Sequence, residues 1–177
     1  MFPDIARARH WYYSTKDGLL CLRRGISAPR RPDGISAITD DATFGMTQAE
    51  WKDYLHARLG EHELFASLAL MAACEEAIRR DVQWRISGQR SQHHGFSWVS
   101  GKGHLKISTI LNRWIQVVGA NSYAGRRLNR LLGMYIGRNA LAHGLAPMGS
   151  VVFEAIWEEL CKIEDKWKQA VPDFRGF

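Results

Sequence analysis

Apolar residues recur at helical spacing along most of the chain from Thr47 onward, and the pattern before that point is different. On an ideal helix, at about 100° per residue, Trp51, Tyr54, Leu55 and Leu59 form a short face. It follows Thr47-Gln48-Ala49-Glu50, which has capping-box spacing, and Gly60 is expected to end it. A long helix is predicted from about Glu61 to Ile86, through Leu64, Leu68, Met71, Ile78 and Val82. Phe65 to Ala77 is apolar nearly all round, which marks this helix as central. Glu75 and Glu76 interrupt it. One of these acids must face inward or toward a neighbour, where a carboxylate needs a partner or a shifted pKa. An ion pair with Arg79 or Arg80 at helical spacing is the plain way to supply the partner.

Three further helices are predicted. The first runs from His104 to Val118 through Leu105, Ile110, Leu111, Trp114, Ile115 and Val118, and Gly119-Ala120-Asn121-Ser122 breaks it. The second covers about Tyr123 to His143, with Gly144 suited to the C′ position and Pro147 preventing continuation. The last runs from about Ser150 to Ala170, with Val152, Ile156, Leu160, Ile163 and Trp167 on its apolar face. The expected fold is all-α, an antiparallel bundle of four to five helices over residues 46–177. Residues 1–45 show no helical period and are expected to form an N-terminal extension, irregular or a short β-hairpin. In the hairpin His10–Tyr13 and Leu19–Leu22 would flank Asp17-Gly18. The basic run Pro29-Arg30-Arg31-Pro32 fits a solvated loop, or a contact with RNA.

Composition is that of an ordinary globular protein: 177 residues, 46% hydrophobic and 24% charged. A chain of this length suggests one domain. The net charge of +6 favours a polyanionic partner such as nucleic acid. Cys21, Cys74 and Cys161 are odd in number and far apart, with no Cys-x-x-Cys. That argues against a disulfide scaffold or zinc finger and fits a reducing cytosol. No apolar signal region is seen at the start, and the longest nearly apolar run, Leu64 to Cys74, is too short to span a bilayer. A soluble cytoplasmic protein with no membrane partner is expected.

The stretch Tyr135–Gly144 carries the candidate chemistry. Leu128, Leu131, Leu132, Tyr135 and Ala142 form one helical stripe, with Asn139 and His143 inside it and Arg138 at its edge. An amphipathic helix keeps such groups off its buried face, because an unpaired buried polar group costs roughly 1–3 kcal/mol. A histidine capping its helix and an arginine reaching outward is one explanation; a site is the other. Gly133 and Gly137 lie on the opposite face, and interior Gly costs about 1 kcal/mol each against Ala. Close approach by another backbone is the expected compensation. A second candidate is the Ser87–Gly103 loop, where Arg90, His93, His94 and Lys102 interleave with Phe96 and Trp98. Such a mixture holds single-stranded nucleic acid by charge and stacking. His93-His94 lacks metal-ligand spacing and companions, so no metal site is expected. Arg90, Lys102, Arg127 and Arg130 are the candidate RNA contacts.

Arg138-Asn139-Ala140-Leu141-Ala142-His143 resembles the Arg-(polar)-x3-His signature of HEPN domains, placed between the third and fourth bundle helices. The run Leu68 to Asp81, apolar and then Glu-Glu-Ala-Ile-Arg-Arg-Asp, resembles the first long helix of that family. The similarity covers about residues 47–170 and is closest to the small stand-alone RiboL-PSP-HEPN type; residues 1–45 match nothing in it. It implies a metal-independent RNA endonuclease with no cofactor, working as a homodimer whose cleft combines both copies. His143 would be general acid/base, Arg138 transition-state stabiliser and Asn139 positioning residue. Glu76 would take the family's acidic position, or Glu75 if the register is one residue off. A toxin or defence role is implied, with an antitoxin or other regulatory protein as a further partner. A non-catalytic HEPN-like dimer that binds RNA or protein is the alternative, and a plain helical nucleic-acid-binding protein is a third class.

The residues fit the chemistry on their own terms. Cleaving RNA without a metal uses the neighbouring 2′-hydroxyl as nucleophile, so a base must take its proton and an acid must protonate the leaving 5′-oxygen. Histidine suits both tasks, with an ordinary pKa near ~6.5. Arginine can bind two phosphate oxygens at once. One motif gives one histidine, and a two-fold dimer would supply the second. Phosphate-loop, nucleophile-elbow and His-Glu-x-x-His motifs are missing from the sequence.

Overall fold

The computed structural model describes residues 2–27, 45–88, 96, 105–142 and 152–177. Among them are five helices and no strand: α1 (Ile5–Ser27), α2 (Gln48–Ile86), α3 (Ile107–Val118), α4 (Tyr123–Ala142) and α5 (Phe153–Ala170). The all-α expectation stands. The basic run at Pro29–Pro32 lies outside the described residues.

The N-terminal segment departs from expectation. His10 to Leu22, expected to be irregular or a short hairpin, lies within α1. Asp4 starts this helix, its Oδ1 accepting the Arg7 amide at 2.7 Å. Ile5, Ala8 and Tyr12 are buried, three and then four residues apart, so one helical face faces inward. That period is short and is interrupted by Asp17-Gly18, which looked like a turn. Gly18 is instead accommodated in the helix, with open space around it.

The aromatic residues of α1 explain its place on α2. Tyr12 stacks on Phe153 of α5 at 4.0 Å and on His62 of α2 at 5.2 Å. Its hydroxyl donates to Glu63 Oε2 at 2.7 Å. Glu63 Oε1 accepts the Phe153 amide at 2.7 Å, so one carboxylate satisfies a first-turn N–H of α5 that the Val152 side chain does not. Burial and Glu63 both push the Tyr12 phenol upward. Tyr13 adds a second tie, donating its hydroxyl to Glu154.

α2 is one helix of 39 residues, not two. The Thr47–Glu50 capping box forms as expected: the Glu50 amide donates to Thr47 Oγ1 at 3.3 Å and the Thr47 amide to Glu50 Oε2 at 2.7 Å. Gly60 does not end the helix. Leu55 and His62 are buried on either side of it, so packing spans the glycine and outweighs its ~1 kcal/mol helix penalty. From Ala66 to Val82 the buried positions of α2 meet α3, α4 and α5 in one core containing Trp114, Leu128, Leu131, Tyr135, Phe153, Leu160, Ile163 and Trp167. After α5 the chain folds back. Val171, Phe174 and Phe177 are buried, and Phe174 stacks on Trp167 at 4.3 Å.

The α3–α4 turn depends on glycine. Gly119 sits at φ 86°, a conformation that side chains with a Cβ resist. A Cβ on Gly125 would lie 2.1 Å from the Gly119 carbonyl oxygen. No helix among the described residues is long and apolar enough to cross a membrane.

Candidate functional site

α4 presents the motif because its core stripe fixes its rotation. Leu128, Leu131 and Tyr135 are buried, and the Tyr135 hydroxyl donates to the Met71 carbonyl of α2 at 3.2 Å. Burial raises the Tyr135 phenol well above its ordinary value and also raises the neighbouring Cys74 thiol. The stripe stops there. Asn139, placed inside it by the helical wheel, is exposed, and Arg138 is half-buried. Arg138 and Asn139 therefore lie at the rim of the packed face and not within it.

Arg138 is the centre of what can be described. Its Nη1 donates to Asn139 Oδ1 at 3.2 Å and lies 3.8 Å from Glu75 Oε2. The longer distance is an ion pair and not a hydrogen bond. Glu75 is itself braced: Arg79 Nε and Nη2 donate to its Oε1 at 3.0 and 2.6 Å, and Arg79 Nη1 donates to the Leu105 carbonyl at 2.7 Å. The two glutamates thus divide. Glu75 pairs with Arg79, as helical spacing suggested, and also faces Arg138. Glu76, the residue assigned to the family's acidic position, is half-buried, and no ion pair with it is found among the described residues. Which acid turns toward α4 depends on how α2 and α4 cross, and local spacing carries no signal for that.

A half-enclosed apolar cavity of about 130 Å³ adjoins Arg138, lined also by Ser67, Leu68, Met71, Met134, Gly137 and Ile156. No atom of the described residues outside the local helix backbone lies within 4 Å of a Cβ placed on Gly133 or Gly137. Among the described residues, the backbone contact expected to compensate these glycines is not found. Ile136 between them is 68% exposed.

The other candidates separate. Arg127 is committed to the fold: its Nη1 donates to Glu159 of α5 at 2.8 Å and its Nη2 to the Tyr123 hydroxyl at 3.1 Å. Arg130 lies 3.2 Å from the same carboxylate with a largely exposed side chain. His143, Arg90, His93, His94, Lys102, Gly144 and Pro147 lie outside the described residues. Phe96 of the Ser87–Gly103 loop is buried against Trp114 at 5.3 Å, so this aromatic serves the core.

A buried polar cluster was not foreseen. Arg85 is fully buried between Asp81 and Asp173, donating to Asp81 Oδ2 at 2.8 Å and to Asp173 Oδ1 at 2.9 Å. Its guanidinium lies 4.7 Å from the Trp114 ring centre. The i,i+4 spacing of Asp81 and Arg85 was visible in the sequence; the reach of Asp173 from the C-terminal tail was not. Among the described residues no three His, Cys, Asp or Glu side chains converge as a metal ion would require.

No family model, curated protein or solved structure matches this chain.

Proposed function

We propose that the chain is a HEPN-type RNA endonuclease that needs no metal and works as a homodimer on an antiparallel helical bundle. The observation that carries this reading is the setting of Arg138. Its guanidinium is half-exposed on the last turns of α4, bonded to Asn139, flanked by Glu75 and next to an apolar cavity. His143 follows five residues later in the sequence. In this reading Arg138 binds two non-bridging phosphate oxygens as negative charge grows on them. One His143 takes the proton of the 2′-hydroxyl, whose oxygen attacks phosphorus. The His143 of a second copy gives a proton to the departing 5′-oxygen. The products are a 2′,3′-cyclic phosphate and a 5′-hydroxyl. Glu75 holds Arg138 in place, and the cavity gives one ring of the substrate room beside it.

The face at Gly133, Ile136 and Gly137, which none of the described residues covers, supports the homodimer, because a second copy is a source of packing for it. An antitoxin or other regulatory protein fits the same reading as a further partner. The test is cleavage of labelled single-stranded RNA in excess chelator, with the ends identified. Cyclic phosphate ends are expected, and Arg138→Ala should lower kcat by about 10² or more. Strict dependence on added metal, or 3′-hydroxyl ends, would contradict the mechanism. RNA retained but uncut would favour the non-catalytic dimer.

A further inference from the structure

The first turn of α4 holds an aromatic side chain ringed by cations. Tyr123 is 51% exposed. Arg126, Arg127 and Lys166 lie 5.7, 5.3 and 5.6 Å from its ring centre. Arg130, one turn further along α4, is 64% exposed. Among the described residues two carboxylates pair with this group. Glu159 is shared by Arg127 and Arg130, and Asp165 lies 3.1 Å from Lys166. Four cations against two acids leave a positive surface around an open ring. The Arg127 bond pulls the Tyr123 phenol below its ordinary value.

We propose that this patch is a docking site for single-stranded RNA, separate from the cleavage motif. A base stacks on Tyr123, and the flanking phosphates meet Arg126, Lys166 and Arg130. An acidic peptide would satisfy the cations but offers the ring no regular stacking partner. A single strand supplies a π-face and a charge at each nucleotide. Tyr123 and Arg138 are fifteen residues apart on one helix, about 22 Å at 1.5 Å per residue. The patch therefore grips a strand at a distance from the bond being cut. The proposal rests on the RNA reading above. It moves the binding role from Arg127, which the fold uses, to its neighbours.

The test is equilibrium binding by fluorescence anisotropy in excess chelator, in a His143→Ala background so that no substrate is consumed. A long single-stranded oligonucleotide is compared with a dinucleotide. The long strand should bind more tightly than the dinucleotide. Tyr123→Ala should remove that advantage, weakening the long strand at least about fivefold, as expected for one lost base stack. Tyr123→Phe should keep most of it. Arg126→Ala should lower the slope of log affinity against log salt by about 0.7, the loss of one phosphate contact on a single strand. Wild-type affinity in both Tyr123→Ala and Arg126→Ala would overturn the proposal. So would failure of the His143→Ala protein itself to bind the long strand. Patch-dependent binding without cleavage by the wild-type protein would uphold the docking site and refute the nuclease. Cleavage with no effect of Tyr123→Ala on binding would do the reverse.

Discussion

Arg85 shows what one buried charge demands. Its side chain is fully shielded from solvent, and its two carboxylate partners come from its own helix and from the tail four residues before the last. Removing the guanidinium takes this buried ion pair away from Asp81, which is itself buried. Loss of one member of a buried pair costs about 3–5 kcal/mol. Arg85→Ala should lie toward the lower end, because Asp173 is partly solvated, and urea unfolding would measure it. A cost below about 1 kcal/mol would mean the cluster holds nothing together. The residue scale is also where sequence reasoning is weakest. Helical spacing offered Glu75 and Glu76 equally, and only the crossing of two helices far apart in sequence turned Glu75 toward Arg138. Asn139 was placed in a buried stripe because the wheel was continued past Tyr135, and it is exposed.

Among the elements, α2 is the most instructive. Its start was readable from Thr47 to Glu50, because a cap is local chemistry. Its passage through Gly60 was not, because burial on both sides decides it. Gly60 lies inside a helix with open space where a Cβ would go. Gly60→Ala should therefore stabilise the protein by about 0.5–1 kcal/mol, raising the thermal midpoint; a loss of stability would indicate that the helix breaks there. The cap gives a pH dependence. Hydrogen bonds from the Thr47 amide and hydroxyl hold the Glu50 carboxyl below its ordinary value. Its contribution is full above the unfolded pKa and fades as pH falls through the lower folded one. Acid should thus weaken wild type more than Glu50→Gln, in thermal melts at falling pH. α1 escaped notice for a related reason. Only Ile5, Ala8 and Tyr12 mark its buried face before Asp17-Gly18 interrupts the pattern.

For the whole molecule, the amphipathic faces from Trp51 to Trp167 were enough to give the all-α class of the described residues. The same faces did not give the closure of the core by Val171, Phe174 and Phe177, since a short tail has no period to read. The proposed homodimer is testable at the face the described residues leave open. Ile136 stands 68% exposed between two glycines that no described residue packs against. In a homodimer built on that face, Ile136→Arg places like charges together across the two-fold axis. Sedimentation should then show a shift from dimer to monomer; an unchanged dimer would put the interface elsewhere. Because the proposed cleft needs two histidines, the same substitution should depress cleavage while Arg138 is left intact. The most direct measurement is RNA cleavage in excess chelator by wild type and by His143→Ala, with RNA binding followed in parallel. Cleavage to 2′,3′-cyclic phosphate ends by wild type, and its loss in His143→Ala with binding retained, is the expected result. Equal cleavage by both proteins would contradict the assignment of His143 and, with it, the mechanism.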